Sequence, residues 1–185
     1  PRPTARYRGL AVTSLLPRAR SEIAPGAVHV PDWLTLEEQR HLVAACRAWA
    51  RPPAPMRHTR TPGGGVMSVR TVCLGWHWSP YRYTRTAVEP FPAWLGDLGR
   101  RAVADAYGPS VGEGDGGAPP ARYEPDTALV NFYDADARMG LHQDRDERSD
   151  QPVVSLSIGD TCTFRFGTTE HRGRPYTDVE LQGGD

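Results

Sequence analysis

The feature that most restricts this chain is a histidine and an aspartate, His142 and Asp144, two residues apart and enclosed by runs of strand composition. Ahead of them lies TALVNFY at 127 to 133, in which Leu129, Asn131 and Tyr133 alternate onto one face. Behind them lie VVSLSI at 153 to 158 and TCTFRF at 161 to 166. β-Branched and aromatic residues of period two read as strands. In an extended segment residues i and i+2 share a face, so the imidazole and the carboxylate can reach one point. They supply two thirds of a two-histidine, one-carboxylate triad, a set that suits non-haem Fe(II) because it leaves coordination positions open. The order of strand, loop, ligand pair and two strands predicts a metal site at the mouth of a small β-barrel. A calcium loop in DRDERSD is excluded, because the glycine that an EF-hand turn needs is absent.

Upstream, the pattern changes period. Ala27 to Val30 reads as a short strand. Thr35 and Glu38 form a capping-box pair ahead of Leu42, Cys46 and Trp49 at helical spacing, and Pro52, Pro53 and Pro55 close that helix. VMSVRTVC after Gly63 to Gly65 is a strand. Phe91 to Tyr107 is a second amphipathic helix, with Trp94, Leu95, Leu98, Ala102 and Ala106 on one stripe and Gly108 as its stop. Residues 109 to 126 have loop composition, and residues 1 to 26, rich in Pro and Arg, read as a flexible N-terminal arm ahead of one domain at 27 to 185.

Between these helices GWHWSPYRYTR interleaves Trp76, Trp78, Tyr81 and Tyr83 with Arg82 and Arg85. Aromatics among arginines suit a surface that stacks bases and contacts phosphates. The same residues equally describe an aromatic hairpin whose rings fill the core.

Bulk properties remove several classes. The net charge is zero, with Arg as the only basic residue beside His, which argues against a histone-like coating of nucleic acid and leaves room for a local basic face. Cys46, Cys73 and Cys162 are too scattered for a disulfide framework or a Cys-x-x-Cys zinc site, and read as small buried apolar residues. No apolar run reaches membrane-spanning length, and a cytoplasmic monomer is expected.

The motifs N-F-Y at 131 to 133, H-Q-D-x-D-E at 142 to 147, P-V-V-S-L-S-I-G at 152 to 159, F-R-F-G at 164 to 167, M-S-V at 67 to 69 and L-G-W at 74 to 76 together resemble the AlkB family of iron and 2-oxoglutarate dioxygenases. The resemblance covers roughly residues 25 to 185. It implies an α+β fold: a double-stranded β-helix (jelly-roll) core with N-terminal helices packed on one sheet. It also implies His142 and Asp144 as catalytic iron ligands, and Asn131 and Tyr133 as hydrogen-bonding partners of 2-oxoglutarate. Trp76, Tyr81, Tyr83 and Asp146 would hold the substrate base, and His171, in a hairpin loop without a strand to aim it, would touch nucleic acid rather than iron. The implied activity is oxidative demethylation of bases such as 1-methyladenine and 3-methylcytosine in single-stranded or duplex DNA, or in RNA. In the family's order a second iron histidine and the arginines for 2-oxoglutarate follow the Gly-Asp that ends this chain. The expectation is therefore a domain incomplete at its C-terminus, whose activity belongs to a longer parent. Two other readings compete: a non-catalytic nucleic-acid-binding fragment, and an oxygenase acting on a protein or small molecule.

Overall fold

The computed structural model describes residues 17–52, 55–80, 82–85, 88–108, 123–144, 149 and 151–185. Tyr81 and Asp146, two of the expected base-binding residues, and residues 109–122 of the expected loop lie outside them.

The chain enters through an antiparallel hairpin of β1 (Ser21–Ala24) and β2 (Ala27–His29), turned at Gly26 with φ +75°. This corrects the reading of residues 17 to 26 as part of a flexible arm. Besides the ladder, the Arg18 guanidinium donates to the Asp185 carboxylate at 2.5 and 2.8 Å, and that carboxylate is nearly sealed from water. A Pro/Arg-rich composition did not disclose a partner that lies 167 residues along the chain.

Helix α1 (Leu36–Trp49) begins as its sequence dictates: the Thr35 hydroxyl accepts the Glu38 N–H, and the Glu38 carboxylate accepts the Thr35 N–H. Those backbone and hydroxyl donors, with Arg101, pull the Glu38 carboxyl down to about 2. Then come β3 (Arg57–Arg60), β4 (Val66–Leu74), and a hairpin of β5 (His77–Ser79) with β6 (Arg82–Thr84). Helix α2 (Ala93–Tyr107) starts two residues later than its periodicity suggested, after Pro92, and stops at Gly108 with φ +84°. Its buried residues are Gly96, Gly99 and Val103 rather than the larger ones of the expected stripe. The physical reason is close approach: a Cβ on Gly99 would stand 3.3 Å from the Tyr123 ring. The two helices meet through Trp94, which stacks on Trp49 at 5.9 Å and takes His41 edge-on at 4.6 Å. Trp49 is thus scaffold.

Strand β7 (Ala128–Phe132) pairs antiparallel with β4, whose other edge pairs with β3, and β8 (Cys162–Phe166) with β9 (Thr177–Leu181) makes a separate hairpin. Val69, Val72 and Leu74 of the central strand β4 are completely buried, so the core sits on the strand that shares a sheet with Asn131. The expected strand at 153 to 158 is not formed. Exposure still alternates there, with Val153 and Ser155 out, but the segment joins no ladder among the described residues. Its backbone meets the chain end instead, Ser157 N–H donating to the Asp185 carbonyl at 2.7 Å and Gly184 N–H to the Ser157 carbonyl at 2.8 Å. Alternation is a property of an extended backbone alone, whereas a ladder needs a neighbour.

Candidate active site

The register of the three-stranded sheet places the candidates. Thr71 lies opposite Asn131 and Cys73 opposite Leu129, so Thr71, Cys73, Leu129 and Asn131 share one face. Tyr133 follows on that face by alternation. The β7 side of that face is open, with Asn131 exposed and Tyr133 and Leu129 56% and 37% exposed, while Thr71 on its β4 side is buried. Across it the Thr71 hydroxyl donates to Asn131 Oδ1 at 2.9 Å, and the Tyr133 hydroxyl donates to Met139 Sδ at 3.8 Å. Partial burial, and secondarily the neighbouring Cys162 thiol, push the Tyr133 phenol above its ordinary pKa. Cys162 itself is exposed rather than buried as its composition class suggested, while Cys46 and Cys73 are half-buried thiols raised by desolvation.

From β7 the chain turns through 134 to 141. Arg138 is fastened there to Ser68 of β4, whose hydroxyl accepts its N–H at 2.9 Å and donates to its carbonyl at 2.9 Å. This loop delivers His142 and Asp144 together, with Nε2 3.4 Å from Oδ1. Two donors about 2.1 Å from one ion and at right angles lie about 3 Å apart, so the pair is nearly at chelating separation. The imidazole is oriented for it. His142 Nδ1 lies 2.8 Å from the Gly140 carbonyl, which can only accept, so Nδ1–H donates there and Nε2 is the ring nitrogen turned toward Asp144. The side chains are 51% and 54% exposed, open to an ion from solvent. Among the described residues no group of three His, Cys, Asp or Glu is arranged to hold a metal.

Gln143, between the two, donates to the Thr169 carbonyl at 2.6 Å and ties this loop to the β8–β9 turn that carries His171. His171 Nδ1 accepts the Gly173 N–H at 3.1 Å, and Thr168 brackets its backbone, which makes it a turn residue beside the pair.

Trp76 lies at the other end of β4, on a bend that follows Gly75. Its indole N–H donates to Asp126 at 2.8 Å, and the Arg85 guanidinium stands 4.3 Å from its ring centroid. Tyr83 is paired across the β5–β6 hairpin with Trp78, so the segment is a hairpin whose two rings stand side by side in the register. Several arginines near this segment are engaged within the fold. Arg70 is paired with Asp134, Arg100 with Asp97 and Glu124, and Arg101 with Glu38 while stacking on Trp33. Arg57 instead reaches a ring, its Nη2 2.8 Å from His77 Nδ1. Desolvation first, and that guanidinium second, lower the His77 pKa. Sequence reasoning missed two residues here, Thr71 and Asp126. Thr71 carried a signal in the alternation of VMSVRTVC, whereas Asp126 lay in what read as loop.

The model of the 2OG-Fe(II) oxygenase superfamily matches residues 26–185. The chain belongs to that superfamily. Within it the chain is AlkB-like: it is 38% identical over 169 residues to the alpha-ketoglutarate-dependent dioxygenase AlkB homolog of Caulobacter vibrioides, covering 88% of this chain and 71% of that protein. It is 30% identical over 161 residues to the DNA N(6)-methyladenine demethylase ALKBH1D of Arabidopsis thaliana, covering 78% of this chain and 36% of the relative. The chain thus spans about a third of the plant protein's length. The structure of OsALKBH1 superposes with a TM-score of 0.70 over 84% of this chain and 75% of that one, at 24% identity, so the β-rich oxygenase fold is shared. The superfamily's name states the iron and the 2-oxoglutarate that its members use.

Proposed function

We propose that the protein bearing this chain is an Fe(II)/2-oxoglutarate-dependent demethylase of N-alkylated bases in nucleic acid. The observation that carries this reading is the His142–Asp144 pair at 3.4 Å with the imidazole proton committed to Gly140, beside a sheet face that presents Asn131 and Tyr133. His142 Nε2 and Asp144 Oδ1 are the groups that would hold the iron, and Asn131 and Tyr133 would receive the 2-oxoglutarate carboxylates. Iron held there would, with 2-oxoglutarate and dioxygen, supply the oxidising chemistry for removing an N-linked methyl group as formaldehyde, 2-oxoglutarate leaving as succinate and carbon dioxide.

The chain's own residues supply orientation and recognition. Trp76, braced by Asp126 and Arg85, offers an aromatic surface for a base taken out of its stack, and Tyr83 extends the same hairpin. His171 stands on the turn tied to the ligand loop, where a nucleic-acid strand entering the site would pass. Nucleic acid as substrate is supported by the Arabidopsis relative, named for N(6)-methyladenine in DNA. The same reading makes the β3–β4–β7 sheet one wall of a double-stranded β-helix, backed by α1 and α2. Contacts of α2 with Tyr123 and Pro125, just ahead of β7, support that placement.

The test is formaldehyde release by the full-length protein from single-stranded oligonucleotides carrying 1-methyladenine, 3-methylcytosine or N6-methyladenine, each beside His142→Ala. Release that depends on iron, 2-oxoglutarate and His142 is expected. Activity that survives His142→Ala would refute the iron assignment, and no release from any methylated oligonucleotide would refute the substrate class.

A further inference from the structure

We infer that Thr71 is a positioning residue for 2-oxoglutarate: its hydroxyl fixes which end of the Asn131 side-chain amide faces the co-substrate. The inference rests on the reading above, in which Asn131 meets a 2-oxoglutarate carboxylate.

A primary amide is nearly the same shape in two orientations half a turn apart, and they present opposite chemistry, a carbonyl acceptor or an NH₂ donor. Only neighbouring hydrogen bonds choose between them. Thr71 sits directly across the β4–β7 ladder from Asn131 and is only 5% exposed, and its Oγ1 donates to Asn131 Oδ1 at 2.9 Å. Asn131 Oδ1 is the acceptor that Thr71 has among the described residues. Turning the amide over would leave a buried hydroxyl hydrogen without an acceptor, which is the costly case for a polar group out of water. With Oδ1 engaged, the Asn131 NH₂ remains free of partners among the described residues, on an exposed side chain beside Tyr133.

The arrangement is asymmetric in the sense a carboxylate ligand requires. An NH₂ toward the open face donates to an anionic oxygen, whereas a carbonyl there would repel it. Neither Thr71 nor the rest of β4 needs to touch the ligand, and the core residues Val69 and Val72, both essentially inaccessible, keep Thr71 in place. A hydroxyl is therefore needed at 71, and an apolar side chain of the same shape would leave the amide free to present either end.

The experiment is calorimetric titration of 2-oxoglutarate, without dioxygen, into the Mn(II)-loaded full-length protein and its variants. Manganese loading is followed separately by paramagnetic resonance. Thr71→Val keeps the shape and removes the hydroxyl. It should weaken 2-oxoglutarate binding about five- to tenfold, the net worth of the one neutral hydrogen bond that holds the amide in its binding orientation, while manganese loading is unchanged. Thr71→Ser should restore binding to within about twofold. Added to Asn131→Ala, Thr71→Val should cost nothing further, because it acts through that amide. Wild-type binding by Thr71→Val alongside weakened binding by Asn131→Ala would overturn the role of Thr71 and leave the Asn131 assignment standing. Unchanged binding by Asn131→Ala would overturn that assignment and this inference with it. Additive losses in the double variant would also overturn it, since Thr71 would then act apart from Asn131. If Thr71→Val does not fold, Thr71→Ala is judged by the same criteria.

Discussion

Arg18 and Asp185 meet across 167 residues of chain, the guanidinium holding both carboxylate oxygens at 2.5 and 2.8 Å. His29 Nε2 at 2.9 Å and the backbone N–H groups of Asp32 and Gln182, each at 3.0 Å, complete the shell of that carboxylate. Burial alone would raise the Asp185 carboxyl, but these donors outweigh it and hold the carboxyl far below the ordinary range. Arg18→Ala leaves a buried carboxylate short of its main partner and should cost about 2 kcal/mol, read as a lower midpoint in urea unfolding. Stability from a depressed carboxyl is complete above its unfolded value, 3.8, and is lost as the pH falls below it. The wild type should therefore lose stability steeply below about pH 4. Arg18→Ala should lose less over that interval, and identical acid profiles would show that Arg18 does not hold the carboxyl down.

His142→Ala and Asp144→Ala each remove one of two donors 3.4 Å apart. Each should weaken Mn(II) or Fe(II) affinity by a factor on the order of 100 or more, beyond what loss of an outer-sphere contact does. Asp144→Asn keeps the shape but not the charge, and should fall between wild type and Asp144→Ala. Metal titration followed by paramagnetic resonance checks all three. Loading indifferent to both alanine variants would place the metal elsewhere.

Trp76→Ala should raise the oligonucleotide KM by roughly five- to 150-fold, the loss of about 1–3 kcal/mol of base stacking. The slow turnover of 2-oxoglutarate without nucleic acid should stay as in the wild type. Asp126→Ala, which frees the indole N–H, should reproduce a part of this effect. Equal KM values for Trp76→Ala and the wild type would remove Trp76 from the substrate surface.

Gly75→Ala should not be accommodated. Gly75 has φ +73°, and a Cβ there would lie 2.0 Å from the Asp126 carbonyl oxygen. A left-handed conformation costs a residue with a Cβ about 1–2 kcal/mol, and the clash adds to it, so thermal unfolding should drop by at least about 4 °C. Gly64→Ala also stands at positive φ, +84°, but meets nothing within 4 Å, and should cost only the conformational part. Equal melting temperatures for the two variants would refute the close approach of β4 to Asp126.

The sequence by itself determined what depends on neighbours along the chain: the capping box of α1, the stop at Gly108, the alternation of Leu129, Asn131 and Tyr133, and the pairing of His142 with Asp144. Periodicity and capping act over a few residues and are written where they act. Tertiary structure decided what depends on distant partners. It chose Asn131 as the neighbour of Thr71, fastened Arg18 to Asp185, brought Asp126 to Trp76, and spent Arg70, Arg100 and Arg101 on carboxylates. Among the described residues it also gave 153 to 158 no ladder, because an extended segment becomes a strand only where another backbone lies alongside to take its hydrogen bonds.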